Sequence, residues 1–248
     1  MKHEIKKNLK EWAEIYNVKS FIKDDPIQFP HRYSRKQDIE ISAFITSWIS
    51  YGSRPLILRK ADWLHSQMGK SPYEWILAEG YKELEQDVPI GKRDTFYRFY
   101  TYSDLYALCE RLREIYTQYD SMEDAIDESL YINPVIKLRN LFENINGIPL
   151  MSSKSACKRL AMFLRWMVRT DGIVDFGIWK TAVKPYQLII PLDTHVHQIS
   201  LKLGLTNRST ATLVTALEIT EALSHVFPGD PCLGDFALFG YDINKDRR

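Results

Sequence analysis

The sequence has few cysteines and no long apolar run. Its three cysteines are an odd number and lie far apart, which fits a reducing compartment rather than a disulfide framework. No apolar stretch approaches the roughly 20 residues that a membrane-spanning helix needs, and the first residues lack the apolar centre of a signal peptide. We therefore expect a soluble, cytoplasmic protein without a membrane partner.

The chain also lacks a strong charge of either sign. Its formal net charge is +1 over 248 residues, whereas proteins that bind nucleic acid without selectivity are usually basic throughout. With 45% hydrophobic residues, the chain can bury a sizeable core in one large domain or two small lobes. We expect a globular protein that acts as a monomer, in which any nucleic-acid contact is local.

Apolar residues recur at helical spacing along most of the chain, and runs of β-branched residues are few. Residues 41–49 and 53–68 predict two helices joined by the short turn Tyr51-Gly52-Ser53-Arg54. Further helices are predicted at residues 73–85, 103–119, 122–130, 134–144 and 210–226. The expected fold class is all-α.

A basic helical segment occupies residues 155–168. Its apolar stripe consists of Leu160, Phe163, Leu164 and Met167. No acidic residue occurs between Ser152 and Arg169, so the segment has the local excess of positive charge that follows phosphates. A charged helix face that is simply solvated is the alternative interpretation. The basic residues from Ser152 to Arg169 are Lys154, Lys158, Arg159, Arg165 and Arg169.

About 35 residues after Lys158 comes the stretch Pro191-Leu192-Asp193-Thr194-His195-Val196-His197. Apolar residues recur at helical spacing after Pro191, so a helix is predicted to begin at Asp193 or Thr194. Asp193 is then a natural N-cap, whose carboxylate accepts backbone N–H bonds and stays ionised at the positive end of the helix dipole. Either Asp193 only caps this helix, or it is a fixed carboxylate that meets a cationic transition state.

The same stretch allows a metal site as an alternative. On a β-strand, Asp193, His195 and His197 would share one face and could bind a metal ion, and the preceding residues 188–190 are strand-like. On a helix, residues two positions apart point to nearly opposite sides. The helical periodicity therefore favours no metal site, and a metal-dependent hydrolase remains the alternative.

Together these segments resemble the helix-hairpin-helix DNA glycosylase superfamily. In that superfamily a lysine at the start of the hairpin's second helix precedes an aspartate in a Val-Asp-Thr-His type motif. Residues 192–196 match this motif, residues 158–164 match the lysine segment in apolar pattern, and residues 230–240 resemble the last core helix. The interval between lysine and aspartate is more similar to the archaeal 8-oxoguanine glycosylase branch than to endonuclease III.

The whole chain also resembles a family of uncharacterised bacterial proteins. The shared segments are Phe-Pro-His-Arg-Tyr at residues 29–33 and Phe-Leu-Arg-Trp-Met-Val-Arg at residues 163–169. This second likeness is the closer one, but it implies no activity.

The glycosylase resemblance implies base-excision repair of double-stranded DNA with a damaged base, 8-oxoguanine being favoured by analogy. Lys158 would form a Schiff base in an AP-lyase reaction and Asp193 would assist it. Lys154 is the fallback nucleophile, because residues 152–156 resemble the Gly-x-Lys-Thr-Ala form of endonuclease III. A nucleic-acid-binding protein of the same fold without activity is the alternative.

The resemblance also implies two helical lobes. One lobe would take residues 36–158 and the other residues 1–35 plus 159–248, with Lys158 and Asp193 in the cleft between them. The residues expected to contact DNA are Lys154, Arg159, Arg165, Arg169, Ser53 and Arg54. The residues expected to line a base pocket are Tyr51, Phe96, Tyr97, Trp166 and His195.

The aromatic stretch Phe96–Tyr102 supports this base pocket, because five aromatic residues crowd around Arg98. Aromatic rings stack on exposed or flipped bases, although crowded aromatic residues are more often part of a core. Exposed stacking and core packing therefore both remain open for this stretch.

The chain departs from the superfamily at two points. The hairpin turn at residues 146–153 has one glycine, where the superfamily has a Gly-x-Gly turn that holds a phosphate. Endonuclease III and its nearest relatives bind an iron–sulfur cluster through four cysteines, whereas this chain has Cys109, Cys157 and Cys232 only. We therefore expect no iron–sulfur cluster and no other cofactor.

Overall fold

The described part of the chain is mostly helical. The structure, a computed structural model, describes residues 3–87, 95–126 and 133–244. The α-helices of these residues are, in chain order, α1 (His3–Tyr16), α2 (Lys19–Ile22), α3 (Lys36–Ile49), α4 (Arg54–Met68), α5 (Pro72–Leu77), α6 (Tyr102–Gln118), α7 (Pro134–Leu141), α8 (Lys158–Val168), α9 (Thr194–Lys202), α10 (Leu213–Ser224) and α11 (Gly234–Asn244). The predicted all-α class is confirmed.

One β-hairpin interrupts the helices. Strands β1 (Thr95–Tyr97) and β2 (Tyr100–Thr101) pair in antiparallel register, with Tyr97 opposite Tyr100. The sequence did not predict this hairpin, because its residues are too few to show an alternating pattern. Short 3-10 helices occur at Pro26–Gln28, Pro30–Arg32, Gly80–Asp87, Pro185–Gln187 and Pro231–Leu233.

Several predicted helices begin or end elsewhere for identifiable reasons. The helix predicted at residues 73–85 is the shorter α5, which is followed by a left-handed residue, Glu79 (φ 58°). The basic helix predicted from residue 155 begins at Lys158, because Cys157 before it is left-handed (φ 52°). Of the helix predicted at residues 122–130, residues 122–126 form turns and the rest lies outside the described residues.

The chain divides into two compact units. The first comprises Met1–Asp24, Glu128–Ile136 and Ser152–Arg248, and the second comprises Asp25–Asp127 and Lys137–Met151. These bounds differ from those of the expected lobes. Lys158, expected at the end of the central lobe, lies in the first unit, which also contains Asp193.

In the second unit, helix α3 forms the centre of the core. Residues 38–49 of this helix are all buried, so its polar side chains need partners. Glu40 accepts hydrogen bonds from the Tyr116 hydroxyl and from the backbone N–H of Met122, both at 2.9 Å. Near the end of α3, the Trp48 ring stacks on Tyr100 with the two centroids 3.9 Å apart. Helix α3 thereby anchors the β-hairpin.

In the first unit, helix α11 packs against α1 and against α9. Gly240 allows the close approach to α1, because a Cβ atom there would lie 2.4 Å from the ring of Tyr16. Edge-to-face contacts such as that between Trp12 and Tyr241, at 5.2 Å, complete this interface. The packing holds the start of α9 and the start of α11 within one core.

Two buried arginines lie in helix α8 and directly after it. Arg165 and Arg169 are 4% and 1% exposed. Arg165 contacts Asp235 and, at 3.3 Å, Asp175. Arg169 contacts Asp175 at 2.5 Å, and its further partners are Asp171 at 2.8 Å and Asp230 at 3.0 Å. We call these two arginines and four aspartates the Arg–Asp network.

Burial of side chains along this helix overturns two predictions. Arg165 and Arg169 were expected on a solvated face that contacts DNA, which is wrong because carboxylates of the first unit surround their guanidinium groups. Trp166, expected in a base pocket, is completely buried within the first unit. The helix is therefore a core element that is covered on both its apolar and its arginine side.

We predict that Arg169→Met lowers the free energy of unfolding by about 3–5 kcal/mol, because it leaves buried carboxylates without their counter-charge. Urea denaturation with linear extrapolation measures this loss. Arg208→Met is the matched control, because the Arg208–Glu218 pair is exposed on both sides (52% and 39%), and its effect should be much smaller. Equal losses in the two variants would contradict a structural role for the network.

Candidate functional site

Lys158 and Asp193 meet at the starts of two helices of the first unit. Lys158 is the first residue of α8, and Asp193 is the N-cap of α9. The Nζ atom of Lys158 lies 2.9 Å from Oδ2 of Asp193, and the two side chains are 38% and 32% exposed. An amine and a carboxylate are thus in direct contact and within reach of a ligand from solvent.

The Asp193 carboxylate has two separate contacts. Its Oδ1 atom accepts the backbone N–H of Val196 at 2.9 Å, which caps α9 as predicted. Its Oδ2 atom accepts from Lys158. Burial tends to raise the pKa of Asp193, but the Lys158 charge, the Val196 N–H and the nearby His195 together lower it. Asp193 is therefore a fixed, ionised carboxylate.

The segment before Lys158 is held against the start of α10. Ser155 and Thr212 form an isolated β-bridge, and the backbone N–H of Leu213 donates to the carbonyl of Lys154 at 3.2 Å. The Lys154 side chain is exposed and makes no ion pair with the described residues. Lys158, rather than the fallback Lys154, is the lysine that faces Asp193.

Two further predicted residues neighbour this pair. His195 is exposed in the first turn of α9 and lies close enough to lower the pKa of Asp193. Arg159 is partly exposed and follows Lys158 in the chain. The candidate site of the first unit therefore consists of Lys158, Asp193, His195 and Arg159. Lys154 lies four residues before Lys158 in the chain.

Asp235 is a carboxylate near this site that the sequence did not single out. It lies in the first turn of α11 and accepts a hydrogen bond from Arg165. Burial raises its pKa, Arg165 opposes the rise, and the negative charge of Asp193 adds to it. The acidic residue in the first turn of a predicted helix was the available signal, but nothing in the sequence relates it to Lys158.

Five further predicted site residues lie in the second unit. Ser53 and Arg54 are exposed at the start of α4, and Tyr51 is partly exposed before them. Phe96 and Tyr97 are buried, so their assignment to an open base pocket is wrong. Phe96 lies 6.1 Å from Trp63, and the Tyr97 hydroxyl donates to the Tyr51 carbonyl at 2.9 Å. The exposed ring of this stretch is Phe99, which the prediction omitted.

The residues of the alternative metal site do not converge. His197 is buried, and its Nε2 atom donates to the carbonyl of Arg208 at 2.8 Å, whereas His195 is exposed on the same helix. Residues 188–190 are buried but are not a strand. Within the ranges that the structure describes, no group of three or more His, Cys, Asp or Glu residues could hold a metal ion. The geometry gives the metal-dependent hydrolase no support.

A serine–histidine pair in the second unit belongs to the core. The Nδ1 atom of His65 donates to the carbonyl of Ala61 at 2.7 Å, so Nε2 accepts the Ser42 hydroxyl at 2.6 Å. Burial lowers the pKa of His65 to about 4. Both side chains are buried, and a substrate could not reach the hydroxyl. The pair satisfies buried polar groups and does not form a hydrolase site.

Comparison with known proteins places the chain in a family. Residues 25–244 match the family described as Protein of unknown function (DUF2400). The chain belongs to this family. No curated protein and no solved structure gives a significant match. The matched range includes Lys158, Asp193 and the β-hairpin, but the family description carries no activity, so function has to be argued from the site.

Among the described helices, none has both the length and the apolar character needed to cross a membrane.

We predict that Asp193→Asn lowers the free energy of unfolding at pH 7 by up to about 1 kcal/mol, since Asn still caps α9 but cannot pair with Lys158. The folded pKa of Asp193 lies below its ordinary value of 3.8. The carboxylate therefore stabilises the fold above that pH, and the stabilisation is lost as the pH falls through the folded pKa. Urea denaturation should show the two proteins converging below about pH 4.

Asp193→Ala is the matched control for the cap. It removes the hydrogen bond to Val196 as well as the ion pair, and we expect a further loss of about 0.5–2 kcal/mol. That further loss should persist at low pH, because Asn caps without a charge. A difference between wild type and Asp193→Asn that stays constant from pH 7 to pH 3 would contradict the ionised pair.

Proposed function

We propose that this protein is a DNA base-excision glycosylase with AP-lyase activity, acting through Lys158 and Asp193. The carrying observation is the 2.9 Å contact between the Lys158 amine and the Asp193 carboxylate, at two helix starts and partly open to solvent. The reaction class comes from the resemblance of residues 158–164 and 192–196 to the helix-hairpin-helix glycosylases. The substrate class is double-stranded DNA with a damaged base, with 8-oxoguanine favoured by analogy.

The first chemical step replaces the base by the enzyme's amine. Lys158 first loses a proton to solvent, and the free electron pair of the neutral amine then attacks C1′ of the damaged nucleotide. The glycosidic bond breaks as this bond forms, the departing base takes up a proton from solvent, and the new amine adduct releases one. Positive charge develops on the sugar during this step, and the ionised Asp193 carboxylate stabilises it.

The second step cuts the strand. Opening of the sugar ring turns the amine adduct into a Schiff base, which acidifies the proton on C2′. Loss of that proton expels the 3′ phosphate by β-elimination, and water then hydrolyses the Schiff base to release Lys158. The protein must hold the flipped nucleotide during both steps.

Phosphate contacts come from the exposed cations around the site. Lys154 is exposed and Arg159 is partly exposed, and the positive ends of α8 and α9 add favourable partial charge for an anion. Ser53 and Arg54, an exposed hydroxyl and guanidinium of the second unit, are proposed as a separate set of phosphate contacts. Arg165 and Arg169 take no part, because the Arg–Asp network engages them. We further propose that the protein works as a cytoplasmic monomer.

We predict that borohydride traps a covalent adduct between the protein and a duplex with an abasic or damaged site, since reduction fixes the Schiff base. Lys158→Gln should abolish the adduct on a denaturing gel, while DNA affinity changes little because one phosphate contact among several is lost. Lys154→Gln is the matched control and should still trap. Trapping that survives in Lys158→Gln and disappears in Lys154→Gln would transfer the role to Lys154.

A panel of lesion-bearing duplexes decides between the enzyme and its alternative. If no lesion gives an adduct or releases a base, an inactive nucleic-acid-binding protein of the same fold becomes the better explanation. Release of a base without an adduct would retain the glycosylase and remove the lyase.

We predict that Asp193→Asn slows base release by about 100-fold to 1,000-fold, the range found when one group that stabilises transition-state charge is removed. Strand cleavage at a preformed abasic site should slow much less, because the glycosidic bond is already broken. Single-turnover assays on the two substrates measure both rates. Equal slowing on both would indicate that Asp193 only positions Lys158.

A further inference from the structure

The tip of the β-hairpin exposes an aromatic ring. Arg98 and Phe99 form the turn between β1 and β2. Phe99 is 79% exposed, which is more than any other large hydrophobic side chain of the described residues. The neighbouring rings of Phe96, Tyr97 and Tyr100 are buried. A single exposed ring therefore projects from a packed aromatic base.

The hairpin tip that carries this ring is held by hydrogen bonds to Tyr51, in the turn between α3 and α4. The Tyr51 hydroxyl donates to the Tyr97 carbonyl at 3.0 Å, and it accepts the backbone N–H of Phe99 at 3.2 Å. The Tyr97 hydroxyl donates in return to the Tyr51 carbonyl at 2.9 Å. The Phe99 ring lies nearly parallel to that of Tyr51, at 12°. The tip is thus preorganised, which reduces the entropy that a ligand would have to overcome.

Arg98 lies beside the exposed ring. Its guanidinium carbon is 5.4 Å from the Tyr51 centroid and 5.7 Å from the Phe99 centroid. It packs on Gly52, where a Cβ atom would come within 2.6 Å of Nη1. The described residues offer Arg98 no carboxylate partner. Among the described residues, its charge is therefore not neutralised by a counter-ion.

Basic residues predominate in the two segments that form the tip. Residues 51–61 and 95–101 contain Arg54, Arg59, Lys60 and Arg98 but no acidic residue, and the Asp104 carboxylate accepts the Thr101 backbone N–H at the end of β2. An exposed π-face with a cation beside it matches a nucleotide, whose base stacks and whose phosphate pairs with the guanidinium. A protein partner would need a wider apolar patch than the one exposed ring of the hairpin.

We propose that the hairpin tip is a nucleotide-stacking site, at which an unpaired base of a DNA strand stacks on Phe99 and its phosphate pairs with Arg98. The site belongs to the second unit and requires no chemistry at Lys158. It goes beyond the proposed glycosylase activity, because an inactive DNA-binding protein would use it equally.

The test is the affinity of the full chain for an undamaged single-stranded oligonucleotide, measured by fluorescence anisotropy. Phe99→Ala should weaken binding by about 5-fold to 150-fold, the range for loss of one base–aromatic stack. Phe99→Trp should retain affinity, whereas Phe99→Leu, which keeps an apolar side chain without a π-face, should not. Arg98→Gln should flatten the log–log salt dependence by about 0.7, as expected for one phosphate contact on a single strand.

Tyr186→Ala is the matched control, because Tyr186 is an aromatic residue of the first unit that is 63% exposed. It should leave affinity unchanged. Unchanged affinity in Phe99→Ala, or equal loss in Tyr186→Ala, would overturn the proposal. Loss of self-association in Phe99→Ala with unchanged DNA affinity would also overturn it and identify a protein contact.

Two further measurements keep this test separate from folding and from catalysis. Thermal unfolding of Phe99→Leu and Phe99→Trp should match the wild type, since the ring is exposed. Lys158→Gln should show the same dependence on Phe99 as the wild type. If no lesion gives an adduct or releases a base while this dependence holds, the glycosylase proposal fails and the stacking site stands.

Discussion

The Arg–Asp network is the constraint on which the first unit depends. Two guanidinium groups, on α8 and directly after it, are surrounded by four carboxylates, and neither arginine reaches solvent appreciably. Buried charges are tolerated only when each finds a partner, because desolvation of an isolated ion is very unfavourable. The network therefore determines where α8 lies relative to α11. Since α11 also packs against α9, it indirectly brings together the helix starts that carry Lys158 and Asp193.

The Lys158–Asp193 pair derives its character from the helix ends. One carboxylate oxygen of Asp193 caps α9, so the group cannot rotate away, and the other oxygen is left to hold the lysine. The same backbone N–H that stabilises the helix also lowers the pKa of the carboxyl. Asp193 thus both caps the helix and holds the candidate nucleophile. This chain belongs to the family described as Protein of unknown function (DUF2400). Its Lys158 amine and Asp193 carboxylate are in direct contact, as chemistry at an amine would require.

Local patterns predicted the elements of this site but misjudged their surroundings. Pro191 and the apolar spacing after it located the start of α9 and its cap, because capping depends on residues three or four positions apart. The wheel of the predicted helix placed Arg165 and Arg169 opposite the apolar stripe. The inference of solvent on that side was wrong, because Asp230 and Asp235, some 60–70 residues later in the chain, cover it. The aromatic stretch could not reveal which ring stays outside, since burial depends on contacts with α3.

The sequence by itself determined the all-α class, most helix positions, and the two residue types that meet at the site. Helical periodicity and capping are short-range properties, and the backbone expresses them wherever the helix finally packs. Only the tertiary structure decided that Lys158 rather than Lys154 reaches Asp193, that the arginines of the Arg–Asp network are buried, and that Phe99 is the exposed ring. These outcomes depend on contacts between distant segments, and such contacts are set by packing and by the pairing of buried charge.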